Sequence, residues 1–160
     1  MIVDTVSSRQ RPARIMLVED HSGDVLLTRR AFRSAKIANE LFVATCGEEA
    51  ISMLNKEGKF SDTPLPDIIL LDLNLPRMSG QEVLNYVKTT PAFQHIPVVI
   101  LSSSRAEQDV SKSYSLHANG YVVKPVSLER FQEVVEKVEA FWFTVAVIPE
   151  ASQPKHAGTI

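Results

Sequence analysis

Four short strings in the chain place reactive oxygen or nitrogen groups directly after apolar runs. Glu19-Asp20 follows Arg14-Ile15-Met16-Leu17-Val18, and Asp72 follows Ile68-Ile69-Leu70-Leu71. Ser102 follows Val98-Val99-Ile100-Leu101, and Lys124-Pro125 follows Tyr121-Val122-Val123. Three carboxylates brought together raise one another's pKa unless a cation sits among them. Their hard oxygens, with positions left for water and phosphate, favour Mg²⁺, which one or two carboxylates plus substrate oxygens usually hold. A lysine ammonium can pair with a carboxylate in the empty site and with phosphate oxygens in the filled one. A serine hydroxyl can donate to a phosphoryl oxygen. Together these groups predict a carboxylate that accepts a phosphoryl group while a metal and a lysine neutralise the developing charge. Taken singly, each has a plainer reading: an aspartate ending a strand is most often a turn or cap residue, and Glu19-Asp20 is a solvated turn. Ser102 alone is loop chemistry and Lys124 alone closes a strand. Their joint placement favours the chemical reading.

That placement depends on the elements that carry the strings. The blocks at 68–71 and 98–101 are short and apolar on both faces, as in central strands of a parallel sheet covered on both sides. Residues 14–18, 41–44 and 121–123 complete a set of five strands. Between them lie segments with helical spacing: Val25, Leu26, Arg29, Arg30 and Phe32 after Asp24, and Ala50, Ile51 and Leu54 after Glu48. Residues 80–88 set Val83, Leu84 and Val87 on one face, and Val110, Tyr114 and Leu116 fit a fourth helix. A fifth is expected from Ser127, a good N-cap, carrying Phe131, Val134, Val135, Val138, Phe141 and Trp142. Strands alternating with helices predict a doubly wound α/β sandwich with right-handed crossovers. In such a sheet ligands bind at the carboxyl ends of the strands, so all four strings fall on one rim. Residues 55–66, with Gly58, Ser61, Asp62, Pro64 and Pro66, read as a loop.

Composition narrows the classes. With 160 residues, one cysteine, 44% apolar residues and 22% charged ones, the chain can bury a core without disulfides or structural metal. A lone Cys46 fits a reducing, cytoplasmic compartment. Seventeen Lys+Arg against nineteen Asp+Glu, signs interspersed, leave no electrostatic footprint for nucleic acid. The apolar run at 141–148 falls short of the roughly 20 residues of a membrane helix, and residues 1–12 lack the apolar middle of a signal peptide. The expected organisation is a disordered tail at 1–12, one domain at 13–148 including a C-terminal helix extension, and a disordered tail at 149–160.

The intervals also carry a resemblance. Ser102 lies 102 − 72 = 30 residues and Lys124 lies 124 − 72 = 52 residues beyond Asp72. With Leu-Val-Glu-Asp at 17–20, Asp-Leu-Asn-Leu-Pro-Arg-Met-Ser-Gly at 72–80 and Gly-Tyr-Val-Val-Lys-Pro at 120–125, the chain resembles response-regulator receiver domains of two-component signalling over about residues 14–140. The resemblance implies the flavodoxin-like (βα)5 fold with strand order 2-1-3-4-5. It implies that Asp72 is the phosphoacceptor for a histidine kinase, and that Glu19, Asp20, Asp72 and the backbone carbonyl of Asn74 hold Mg²⁺. It makes Ser102 the switch hydroxyl, Lys124 the conserved lysine, and Tyr121 the aromatic residue whose rotamer accompanies activation, with a cis bond before Pro125. Such a protein is no enzyme beyond self-catalysed phosphotransfer and autodephosphorylation. More narrowly, residues 18–25 resemble the Val-Glu-Asp-Asn-Pro-x-Asp stretch of small regulators that partner bacterial and cyanobacterial phytochromes, from which His21, Ser22 and Gly23 depart. This implies a phytochrome-type sensor kinase.

The short tail leaves no room for an effector module, so the expected output is contact with an unknown downstream protein, relay or phosphate storage, without nucleic acid or membrane. Phe141, Trp142 and Phe143 extend past the expected domain end, either packing on their own sheet or forming a homodimer seam; the resemblance favours the dimer. Arg29, Arg30 and Arg33 read as a solvated helix face, Cys46 as a small buried residue, and His21, His95, His117 and His156 lack metal-ligand spacing. Two alternatives compete. A phosphohydrolase of the haloacid-dehalogenase kind would use Asp72-Leu73-Asn74-Leu75, but its second acid is replaced by Asn74. A phosphate-independent adaptor would have no use for the retained acceptor parts.

Overall fold

The computed structural model describes residues 11–35, 38–103 and 107–124, together with Glu129 and Glu136. Among the described residues, five strands, β1 (Ala13–Val18), β2 (Asn39–Ala44), β3 (Ile68–Leu71), β4 (Val98–Ser102) and β5 (Gly120–Val123), alternate with four helices. These are α1 (Ser22–Arg33), α2 (Gly47–Leu54), α3 (Gly80–Thr89) and α4 (Glu107–Ser115). All neighbouring strands pair in parallel, in the order β2-β1-β3-β4-β5, as the resemblance implied. Glu129 and Glu136, within the expected fifth helix, are helical; the rest of that helix, the cis bond at Pro125, the Ser127 cap and the aromatic run at 141–143 lie outside the described residues.

Strand side chains alternate between faces, and here both faces are covered. Met16, Val18, Ile69, Leu71, Val98 and Ile100 turn toward one core, which Ala50 and Met53 of α2 and Val83, Leu84 and Val87 of α3 complete. Ile15, Leu17, Ile68, Leu70 and Leu101 turn the other way, onto Ala31 and Phe32 of α1. That is why β3 reads as an unbroken apolar run: all four of its residues are buried. Each such side chain contributes about 1.5–3 kcal/mol by leaving water.

Several local features depart from the sequence reading. The first helix begins at Ser22, two residues before Asp24, because the His21 imidazole serves as its N-cap: Nδ1 accepts the Asp24 amide at 3.2 Å. The second begins at Gly47, and its N-cap residue Cys46 is half-buried rather than buried. Leu26 and Tyr114, at helical spacing with apolar neighbours, are exposed. A 3-10 turn, Gly58–Phe60, interrupts the loop at 55–66. Arg29, Arg30 and Arg33 are exposed, as expected of a solvated face. Arg11, assigned by sequence to the tail, is anchored: its guanidinium grips the buried Asp67 carboxylate through two bonds of 2.8 and 2.9 Å, and Asp67 also accepts the Arg14 amide at 2.8 Å.

Candidate functional site

The ladder continues one residue past the strands and brings the acids together. The Glu19 amide donates to the Ala44 carbonyl at 2.9 Å, and the Asp72 amide to the Val18 carbonyl at 3.0 Å. Glu19 and Asp72 therefore emerge side by side at the carboxyl ends of β1 and β3, only 2% and 6% exposed, with Asp20 exposed beside them. One carboxylate oxygen from each of the three lies within 4.8 Å of the others. From β5, which the Lys124 amide extends by donating to the Ser102 carbonyl at 2.7 Å, the Lys124 ammonium reaches over this cluster. Its Nζ sits 2.5 Å from Glu19 Oε1, 2.7 Å from Asp24 Oδ2 and 3.6 Å from Asp72 Oδ2.

The electrostatics follow from this crowding. Burial, reinforced by the neighbouring Asp72 charge, pushes the Glu19 carboxyl up to about 7, although its bonds to Lys124 and to the His21 amide (3.2 Å) pull the other way. For Lys124, burial acts to lower the pKa, but bonds to Asp24 and Glu19 and the charges of Glu19 and Asp72 outweigh it, so the ammonium stays charged. Three carboxylates, those of Glu19, Asp24 and Asp72, thus face one ammonium. Glu19, Asp20 and Asp72 offer closely spaced oxygens, and Glu19 holds a proton more tightly than an ordinary carboxylate, as expected of a donor set suited to a hard divalent cation.

The loop after Asp72 is fixed from below. The Asn74 amide donates to Asp72 Oδ1 at 3.3 Å, and the Gly80 amide returns to the Leu73 carbonyl at 2.9 Å. Gly80 lies so close that a Cβ there would come 2.2 Å from the Asp72 carbonyl oxygen and 2.6 Å from Leu73 Cα. Ser79 then starts α3 with a full capping box, its hydroxyl accepting the Glu82 amide at 3.2 Å while Glu82 accepts the Ser79 amide at 3.0 Å. Arg77, within this loop, takes a left-handed backbone at φ 63° and pairs with exposed Glu48 at 3.4 Å.

Among the predicted site residues, Glu19, Asp20, Asp72 and Lys124 converge as one cluster, and Asn74 lies directly after Asp72. Ser102 ends β4 on the same rim, fully buried. Tyr121 pairs with Ile100 across β4 and β5 and packs, half-buried, against the core beneath the rim. Sequence reasoning missed the part of Asp24, which it read as a helix start; its side chain bonds a lysine 100 residues away. It also missed the Ser79 capping box, although Ser-x-x-Glu before an apolar run is its signature.

Known proteins share this fold. The chain is 39% identical over 140 residues to response regulator Rcp1 of Synechocystis sp., covering 88% of this chain and 95% of that protein. Among solved structures, the phosphorylated cyanobacterial phytochrome response regulator RcpA superposes with a TM-score of 0.81 at 39% identity, covering 87% of this chain and 99% of that one. The Mn²⁺-bound form of response regulator Rcp1 gives 0.78 at 38% identity, over 86% and 99%. The response regulator receiver domain pattern matches residues 15–136, the span that carries the sheet and its acidic rim. With that span, that strand order and relatives that include Rcp1 and RcpA, the chain belongs to the response regulator receiver domain family.

Proposed function

We propose that Asp72 accepts a phosphoryl group from a phytochrome-type sensor histidine kinase, and that the phosphorylated protein signals by contact with a downstream protein. The observation that supports this most directly is a buried carboxylate at a central strand end, flanked by two carboxylates on one side and an ammonium 3.6 Å away on the other. In the transfer, an Asp72 oxygen forms a bond to phosphorus as the bond from phosphorus to the donor imidazole nitrogen breaks, the electron pair returning to that nitrogen. Glu19, Asp20, Asp72 and the backbone carbonyl of Asn74 would hold Mg²⁺. When bound, that ion supplies positive charge against the phosphoryl oxygens and relieves the repulsion among the acids. The Mn²⁺-bound form of Rcp1 supports a divalent cation here.

Lys124 and Ser102 act on the product. Phosphorylation gives Asp72 three strong acceptor oxygens, toward which the ammonium and the hydroxyl move, drawing on β5 and β4. Tyr121, on β5 beside the Ser102 strand, turns inward in response and reshapes the neighbouring face. Shifting a 1:99 equilibrium to 99:1 takes about 5.5 kcal/mol, which a few charge-assisted hydrogen bonds at about 1.5–3 kcal/mol each can supply. In this reading the protein turns over no substrate of its own, and Phe141, Trp142 and Phe143 support a homodimer on sequence grounds alone.

Incubation with acetyl phosphate and Mg²⁺ tests the assignment. Wild type should form a lasting phosphoprotein by intact mass, adding one phosphoryl group, and Asp72→Asn should stay unlabelled with an unchanged circular dichroism spectrum. Labelling of Asp72→Asn, or release of phosphate without accumulation of phosphoprotein, would overturn it.

A further inference from the structure

The first turn of α1 carries an acid whose local role has been taken by another residue. His21 is the N-cap and Asp24 the third helical residue, the place from which an acid commonly reaches back to the N-cap amide. Here that amide donates to Glu19 Oε2 at 3.2 Å instead. Asp24 is left free to turn its carboxylate across the rim, where Oδ2 meets the Lys124 ammonium at 2.7 Å, with His21 Nδ1 3.5 Å away on its other side. An ammonium has three donors, and in this structure its close contacts are to Glu19 and Asp24, at 2.5 and 2.7 Å, while Asp72 at 3.6 Å lies beyond hydrogen-bond length.

We propose that Asp24 is a positioning residue, an anchor that holds the Lys124 ammonium off Asp72 in the resting protein and so keeps the acidic cluster open to its cation and to the phosphoryl donor. The inference rests on the function proposed above. Glu19 is shared between the lysine and the cation cluster, so it is a poor permanent anchor. Asp24 lies outside the three-carboxylate cluster, and its shortest side-chain contact is to the lysine, at 2.7 Å against 3.5 Å to His21. Without it, the nearest negative charges left for the ammonium are those of Glu19 and Asp72. A lysine collapsed onto those two groups competes with the divalent ion and covers the nucleophile. When Asp72 carries a phosphoryl group, its oxygens draw the ammonium away from Asp24, and this contact is the one that breaks.

The test is a double-mutant cycle on Mn²⁺ affinity, read by titration calorimetry on the full, unphosphorylated chain. Asp24→Asn should weaken Mn²⁺ binding about tenfold, equivalent to about 1.4 kcal/mol. The same change in a Lys124→Gln background should weaken it only about threefold, the effect of removing one nearby charge through solvent. Asp24→Glu should restore the wild-type affinity and the wild-type rate of labelling by acetyl phosphate, whereas Asp24→Asn should label more slowly. A purely structural Asp24 would give equal factors in both backgrounds, and that result overturns the proposal. Wild type that binds no Mn²⁺ and takes no label would overturn the function itself. Wild type that does both while the cycle closes to zero coupling would sink the anchor alone. Thermal melts of each variant confirm that affinities are compared between folded proteins.

Discussion

Substituting Gly80 by alanine probes how tightly Asp72, the proposed phosphoacceptor, is set. The added Cβ would stand 2.2 Å from the Asp72 carbonyl oxygen, 2.6 Å from Leu73 Cα and 3.0 Å from the Asp72 carbonyl carbon. Every one of these atoms is backbone, so no side chain can swing aside. To restore an ordinary contact of 3.4 Å the α3 start and the Asp72 segment must separate by 3.4 − 2.2 = 1.2 Å. Overpacking of this kind costs about 1–3 kcal/mol, which should lower the melting midpoint by about 2–12 °C. A displacement of about 1 Å at a reacting group can cost on the order of a hundredfold in rate. Gly80→Ala should therefore stay folded but take label from acetyl phosphate at about one hundredth of the wild-type rate. The control is Gly58→Ala: nothing lies within 4 Å of its new Cβ, and its φ of +53° is strained for alanine. It should lose about 1 kcal/mol of stability while labelling normally. Wild-type labelling by Gly80→Ala, with an unshifted melt, would refute the idea that this glycine lets the helix seat against the acceptor.

Two further outcomes follow from the charges. Glu19 is held at about 7, above its ordinary 4.5, so the folded protein binds that proton more tightly than the unfolded chain does. Stability of the metal-free protein should accordingly fall as pH rises from about 4.5 to about 7, while added Mg²⁺ should raise the melting midpoint more at pH 8 than at pH 5; a Mg²⁺ effect indifferent to pH would contradict this. Arg11→Ala strips the buried Asp67 of its two guanidinium bonds and should cost about 1–3 kcal/mol in urea unfolding without changing the labelling rate, because the contact precedes β1, at the far end of the strand from Glu19.

The sheet was legible because burial on both faces writes itself into the sequence: β3 and β4 are apolar at nearly every position and hand over to Asp72 and Ser102 where the ladder ends. Glu19, Asp20, Asp72 and Lys124 could be grouped from strand ends alone, since parallel strands align their carboxyl termini. The start of α1 was not legible in the same way. An imidazole is an uncommon N-cap, and Asp24 two residues into the helix looked like the better one. Nor could periodicity reveal that Asp24 would pair with Lys124, because that contact depends on tertiary placement of two segments 100 residues apart. The half-burial of Cys46 and the exposure of Leu26 are likewise set by how neighbouring elements pack.

The Arg11–Asp67 clasp has a practical consequence. It fastens the chain just before β1, whereas the acidic rim begins with the residues just after it. The strand Ala13–Val18 between them is 6 residues long, roughly 20 Å. A fluorophore, affinity handle or surface tether joined ahead of Arg11 would therefore sit a strand's length from the acidic rim. Kinase encounters could be followed on an immobilised sample with that rim left clear.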